Sequence, residues 1–198
     1  MTFIIDNQYK EIMTKQILLS VATLFLIYQS YGLLRIIDKL ETNTWGFLIF
    51  IAWIINLFIT GIFAFSGFAF PTQKLLPKSY YKIYHSKRLK KIYKILRVDL
   101  FRKMLLATLW KSQKQRAKYF NGQKNGIENL ERQSMKSEFG HLIPFVIICF
   151  VSIYLIAIDS TKLAILTFLI NFIGNFYPII LQRHHRMRIQ ILRKRASQ

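Results

Sequence analysis

The sequence predicts an all-α membrane protein with four transmembrane helices and cytoplasmic amphipathic helices between the second and the third. Three observations predict it. Four long apolar runs sit in a chain of 198 residues that is 53% hydrophobic. The same chain carries a formal net charge of +20, and its cations are gathered into two stretches. Between the second and third runs, aromatics and aliphatics alternate with cations at helical spacing. A soluble nucleic-acid binder can be this basic, but it would not hold four such runs. In a membrane protein, lipid takes the apolar surface while cytoplasmic loops collect Lys and Arg. Nucleic acid is therefore set aside as a partner, and a bilayer with anionic headgroups is expected as one.

A helix needs roughly 20 apolar residues to cross the hydrocarbon core, with about 17 as the lower end. The runs lie at 17–36, 45–70, 142–158 and 163–182. Gln29 and Ser30 interrupt the first only slightly. The second carries no charge and is long enough to tilt, and the third is at the short limit. A backbone inside lipid must satisfy its own hydrogen bonds, so each run is expected as a helix. The N-terminal "MTFIIDNQYKEIMTKQ" lacks the charged region and cleavage site of a signal peptide, so the first run is expected to be retained. The whole chain, 1–198, reads as a single membrane domain. Its one cysteine, Cys149, lies inside the third run, which leaves no disulfide framework within the chain.

Orientation follows from the cations. Residues 71–141 hold 18 of the 29 Lys and Arg, and the tail 183–198 holds 6. The loops "DKLETNT" and "DSTK" are short and of mixed charge. The basic segment, the tail and both termini are therefore expected in the cytoplasm, in a multi-pass protein of the cell membrane. Arg35 is an exception near the outer end of the first span, where it can snorkel or pair with Asp38. Within the basic segment, Ile83, Leu89, Ile92, Tyr93, Leu96, Leu100 and Phe101 recur at helical spacing. From Tyr80 to Trp110 this predicts one or two amphipathic helices in the interface, cations toward anionic headgroups. "NGQKNG" reads as a turn, and "IENLERQSMKSEFGH" resumes a helix that leads into the third span.

The polar residues of the last two spans are expected to converge. The third span starts at Glu138 and His141, and the fourth ends at Asn175, Tyr177, Pro178, Gln182 and Arg183. A short outer loop makes these helices antiparallel neighbours, so the two groups fall at one depth. Glu138 and His141, three residues apart, share a helical face. A carboxylate beside an imidazole is the base-and-orienter arrangement of general base catalysis. Asn171, Asn175, Pro178, Gln182 and Arg186 follow one another at steps of four, three, four and four, which makes a stripe along one side. Pro178 offers no N–H to the Gly174 carbonyl, so a kink is expected there. Arg183, His184, His185, Arg186 and Arg188 form a cluster suited to phosphates or carboxylates.

Plainer readings stand beside these. Glu138 can be half of an interfacial ion pair with Lys136 or an arginine. Asn171 and Asn175 can be glue between helices. The basic tail can serve as a topology signal and a contact for lipid headgroups. A metal site is not expected, because the adjacent His184 and His185 point different ways on a helix. Without a glycine-rich nucleotide loop, a dinucleotide fold is excluded.

Two motifs in order, "MKSEFGHLIPF" and "NFYPIILQRHHRMRI", resemble the small membrane proteins of the glycosyl-4,4'-diaponeurosporenoate acyltransferase family. That family shows Glu-x-x-His at the head of one apolar helix, then an Asn, a Pro and "QRYNRxR" at the end of another. "YKILRVDLFRK" (Tyr93–Lys103) is similar to its basic-aromatic stretch. The resemblance covers about Tyr80 to Arg193. It implies transfer of a fatty acyl group to a sugar hydroxyl of a glycosylated carotenoid. By motif position it implies Glu138 and His141 as the acid–imidazole pair, and Asn175, Pro178, Gln182, Arg183, Arg186 and Arg188 as the terminal motif. This chain departs in reading "RHHR" for "RYNR".

The residues suit that chemistry, which needs a base near the hydroxyl, cations for a donor's phosphates and room for a chain. His141 is expected to take the hydroxyl proton with Glu138 orienting it. Arg183 and Arg186 would grip the phosphates of acyl-CoA or a similar donor as co-substrate. Asn175 would steady the thioester or oxyanion, with Tyr177 and Gln182 also binding substrate. The acceptor would be lipophilic and glycosylated, with no resident cofactor. The alternatives are a non-enzymatic scaffold that binds anionic lipid or an acidic partner through its basic segment, and a different transferase or reductase acting on an isoprenoid lipid.

Overall fold

A computed structural model describes residues 2–39, 44–108, 111–112 and 124–196. Most of the "DKLETNT" loop, the first half of the "NGQKNG" turn and Trp110 lie outside these residues. So does the side chain of Asp38, offered above as a partner for Arg35. The described residues contain helices and no strand. Four of the helical stretches are long and apolar enough to cross a membrane: Tyr9–Ile36, Trp45–Ala69, Gly126–Ala157 and Thr161–Lys194. This is the all-α, multi-pass architecture the apolar runs predict. The helices outrun those runs at several ends. Helix α1 spans Thr2–Ile36 and α2 spans Trp45–Ala69. Among the described residues of the basic segment, α3 (Lys78–Tyr81), α4 (Ser86–Ile95) and α5 (Val98–Ala107) follow. Helix α6 runs unbroken over Lys124–Ala157, so the polar approach and the third span are one element. The last span is α7 (Thr161–Asn171), a π turn (Phe172–Phe176) and α8 (Tyr177–Ala196). Where the sequence predicts a kink at Pro178, the helix widens in the turn just before it. A π turn tolerates the missing proline N–H because its carbonyls are no longer committed to partners four residues on.

The chain divides into two compact units, Met1–Thr72 with Gly140–Asn175, and Gln73–Phe139 with Phe176–Gln198. The first unit packs a narrow core. Leu48, Ile51, Ala52, Ile55 and Ile59 recur every three or four residues along α2 and bury against Ile148, Val151 and Leu155 of α6 and Leu163 and Ala164 of α7. The remaining faces stay apolar and exposed: Leu18, Val21, Leu24 and Phe25 on α1, Phe50, Trp53 and Leu57 on α2, Phe150 and Ile153 on α6. Such surface suits lipid. Lipid tails are as apolar as the side chains, so helix association in a bilayer rests on close packing and interhelical hydrogen bonds. Asn56 supplies one such bond, its Nδ2 donating to the Thr167 carbonyl at 3.1 Å.

In the second unit, Leu89 of α4 and Val98 of α5 bury against Ile180, Leu181 and Met187 of α8, flanked by Tyr93, Leu96, Phe101 and Leu105. Part of the apolar face that the periodicity offers to the membrane interface thus covers the C-terminal helix, while Ile92 and Leu100 stay exposed. Arg97, in the left-handed region at φ 50, makes the sharp turn that lets both short helices do so.

The turn from α6 to α7 is closed by its backbone. Asp159 has φ 59. Its N–H donates to the Ile156 carbonyl at 3.0 Å, and the Ser160 N–H donates to the Leu155 carbonyl at 2.9 Å. This is a Schellman end with aspartate at the left-handed position, which Asp tolerates better than branched residues. It makes α6 and α7 antiparallel neighbours within three residues. Asp159→Gly is expected to keep or raise stability, while Asp159→Val should lose about 1–2 kcal/mol through left-handed strain. Thermal unfolding in detergent checks the order, and equal midpoints for the two variants would refute it.

Candidate functional site

The first unit holds a relay of amides that ends on an imidazole. Asn171 Nδ2 donates to the backbone carbonyl of Phe145 at 3.0 Å. A carbonyl can only accept, so the Asn171 Oδ1 must face the other way as an acceptor. Asn175 Nδ2 donates to it at 2.9 Å, and also reaches the Thr60 hydroxyl at 3.0 Å. Asn175 Oδ1 is thereby turned toward His141, whose Nδ1 lies 2.9 Å away. The proton of that bond must sit on Nδ1, because the amide oxygen has none to give. In the neutral ring the lone pair is then left on Nε2. Asn171 and Asn175 are buried, at 0% and 1% exposure. Their bonds join α2, α6 and the last span, which is the glue reading of these asparagines, and they also fix a tautomer.

The second unit holds an ion cluster. Glu138 is fully buried. Its Oε1 accepts from Arg183 Nη1 at 2.9 Å, and its Oε2 accepts from Arg186 Nη2. Arg186 is also fully buried, and its other nitrogens are engaged. Nη1 donates to the Ser134 hydroxyl at 3.1 Å and Nε to the Tyr81 carbonyl at 3.3 Å. The Ser134 hydroxyl passes its own proton to the Gln182 carbonyl at 3.0 Å. The guanidinium planes of Arg186 and Arg183 stand over the rings of Tyr81 and Tyr80, at 5.3 and 5.4 Å. Burial pushes the Tyr81 phenol up to about 12, against the pull of Arg186, so it stays neutral. Its hydroxyl is buried with no partner among the described residues.

Each residue named from the sequence therefore has a definite place. The carboxylate offered as orienter of His141 has both oxygens on guanidinium groups, the ion-pair reading. The imidazole takes its partner from Asn175. Asn175, offered for an oxyanion, spends its amide N–H groups on Asn171 and Thr60. Arg186, offered for phosphate, has three protein partners; Arg183 keeps an exposed part, 27% of its side chain. Gln182 is buried, and Tyr177 lies against the ring of Phe101, centroids 5.4 Å apart. Among the described residues no group of three potential ligands stands ready for a metal. Sequence reasoning missed Thr60, Ser134 and Tyr81. It also passed over a shared pattern, "GHLIP" and "GNFYP", which puts His141 and Asn175 each just after a glycine and three residues before a proline.

A family model described as glycosyl-4,4'-diaponeurosporenoate acyltransferase matches residues 77–195. The chain belongs to this family. No curated protein and no solved structure matches it. The matched stretch contains Glu138, His141, Asn175, Arg183 and Arg186, and leaves α1 and α2 with Thr60 outside. The chain is thus a multi-pass membrane protein of an acyltransferase family, and both polar clusters draw mainly on the family-matched residues.

The ion cluster makes an uneven prediction. Glu138→Ala strands the Arg186 charge in the interior and should cost about 3–5 kcal/mol. Arg183→Ala removes a partly solvated partner and should cost about 1 kcal/mol or less. Unfolding midpoints of the purified variants in detergent read both, and losses of equal size would contradict the assignment of Arg186 as the enclosed partner.

Proposed function

We propose that the protein is a membrane O-acyltransferase that moves a fatty acyl group from a phosphate-bearing thioester, such as acyl-CoA, to a sugar hydroxyl of a glycosylated carotenoid or related glycolipid. The observation that carries this reading is the fixed tautomer of His141, inside a stretch that matches an acyltransferase family. With Nδ1 held by Asn175, Nε2 is the basic atom. It takes the hydroxyl proton as the sugar oxygen bonds to the thioester carbonyl carbon. The carbon–sulfur bond then breaks, and the proton passes from Nε2 to the leaving thiolate. The imidazolium formed in between is stabilised by Asn175 Oδ1, a neutral acceptor where other sites use a carboxylate.

In this reading Glu138 and Arg186 are positioning residues. They lock Ser134, Tyr81 and Gln182 around one enclosed charge pair, and they hold Arg183. Arg183, Gln182 and Tyr177 remain the substrate-binding candidates. The termini and the basic segment face the cytoplasm, as the cation count supports.

His141→Ala should lower ester formation by about 10²–10⁴-fold while the protein still inserts and folds. Asn175→Ala should lower it less, because the ring keeps its base but loses its tautomer lock. Mass spectrometry of acylated glycolipids and carotenoid esters from cells carrying each variant is the measurement. Wild-type ester levels in His141→Ala would return the chain to the scaffold reading. Orientation is read separately, with Cys149→Ser as background. Thr161→Cys should react with an impermeant maleimide from outside the cell, and Ser112→Cys only after lysis; the opposite pattern would invert the topology.

A further inference from the structure

The donor proposed above carries phosphates, and the two arginines first assigned to them are engaged with Glu138. Arg183 keeps an exposed part, and cations outside the Glu138 cluster can share that charge. On the second unit, α4 and α8 border an open groove of about 380 Å³ lined by Lys90, His184, Met187, Arg188, Ile191 and Leu192. Its floor is apolar, from Met187, Ile191 and Leu192. One wall is rigid: the His184 ring stacks on Tyr93 with centroids 3.9 Å apart and planes 17° apart. Its rim carries two exposed cations, Lys90 on α4 and Arg188 on α8. Among the described residues neither takes part in an ion pair. The acidic side chains placed nearby, Asp99 and Glu131, are held by Arg102 with Lys103 and by Arg193. An apolar trough with unpaired cations at its lip is complementary to an amphiphile whose anionic head is joined to a hydrocarbon chain.

We propose that this groove binds the fatty acyl thioester donor, its phosphates on Lys90 and Arg188 and the start of its chain along Met187, Ile191 and Leu192. The inference rests on the acyl-transfer reading for the choice of occupant, but not for its test. Its rim residues lie outside both polar clusters, so their loss leaves the tautomer lock and the Glu138 pairs intact. The donor's chemistry also explains why the groove joins a cationic rim to an apolar floor. A free phosphate would have no use for the floor, and a neutral lipid none for the rim.

The test uses the full chain purified in detergent, with Lys90→Ala/Arg188→Ala against wild type and palmitoyl-CoA as the probe. Direct binding should weaken roughly tenfold or more in the double variant, since two charge-assisted contacts are lost. Leu192→Asp is expected to weaken it too, through the floor. In turnover, KM for palmitoyl-CoA should rise by a similar factor with kcat little changed. Unaltered palmitoyl-CoA binding in the double variant overturns the groove, whatever the esters show. So does a result in which the double variant loses only phosphatidylglycerol vesicles, because the rim would then hold a lipid headgroup. If the double variant loses palmitoyl-CoA but wild type forms no ester with any glycolipid, the groove stands and the acyl-transfer reading falls.

Discussion

A polar side chain on a membrane-spanning helix has only protein to bond, and this constraint organises the first unit. Lipid offers no donor and no acceptor, so an amide placed there turns to protein groups for its complement. The backbone carbonyl of Phe145 is the fixed point. It sets the direction of Asn171, which sets Asn175, which sets the proton on His141. Each link is a neutral hydrogen bond of modest net worth, on the order of 1 kcal/mol. Their value lies in direction: reversing any one amide would set donor against donor or acceptor against acceptor along the line. A tautomer that would fluctuate in water is held by a carbonyl two amides away.

The second unit answers the same constraint with charge. Glu138 and Arg186 are both removed from solvent, which costs several kcal/mol per ion, and their attraction offsets this only when the remaining donors are also satisfied. Arginine suits the place because its planar fork sends three nitrogens to three partners, Glu138, Ser134 and the Tyr81 carbonyl. Lysine, a point charge on a flexible stem, could not reproduce that division. Ser134 matters beyond its size, since it accepts from Arg186 and donates to the Gln182 carbonyl. The cluster thereby ties α6 to α8 at a carbonyl near the start of α8.

Much of this was legible from the residues alone. Apolar length gives four candidate spans, and the four-residue spacing of Asn171 and Asn175 puts them on the shared face where one donates to the other. The partners were less legible. A separation of three residues puts Glu138 and His141 on one helical face, but a shared face does not make a bond. The carboxylate goes to guanidinium groups because charge-assisted bonds outweigh what a neutral imidazole offers. The imidazole goes to an amide whose orientation is imposed from elsewhere. Thr60 and Tyr81 were invisible because nothing in their own neighbourhood announces them. A threonine in an apolar run and a tyrosine in a basic-aromatic stretch acquire meaning only when a second helix arrives. The periodicity of α4 and α5 offers an apolar face, part of which is buried while Ile92 and Leu100 stay exposed. Periodicity does not say what covers the buried part, and α8 covers it here.

The prolines explain why His141 and Asn175 can hold these positions. Pro144 and Pro178 have no N–H, so the carbonyls of Gly140 and Gly174 lose their usual donors four residues on. On the last span the helix responds with the π turn that carries Asn175. Such turns are rare because they lose packing along the axis, and they persist where a side chain must be re-aimed. The repeated Gly-x-x-x-Pro spacing thus places a ladder fault beside each of the two groups that share the 2.9 Å bond. At Pro144 α6 continues as a regular α-helix, and it is on the last span that the fault comes with a π turn and a re-aimed side chain.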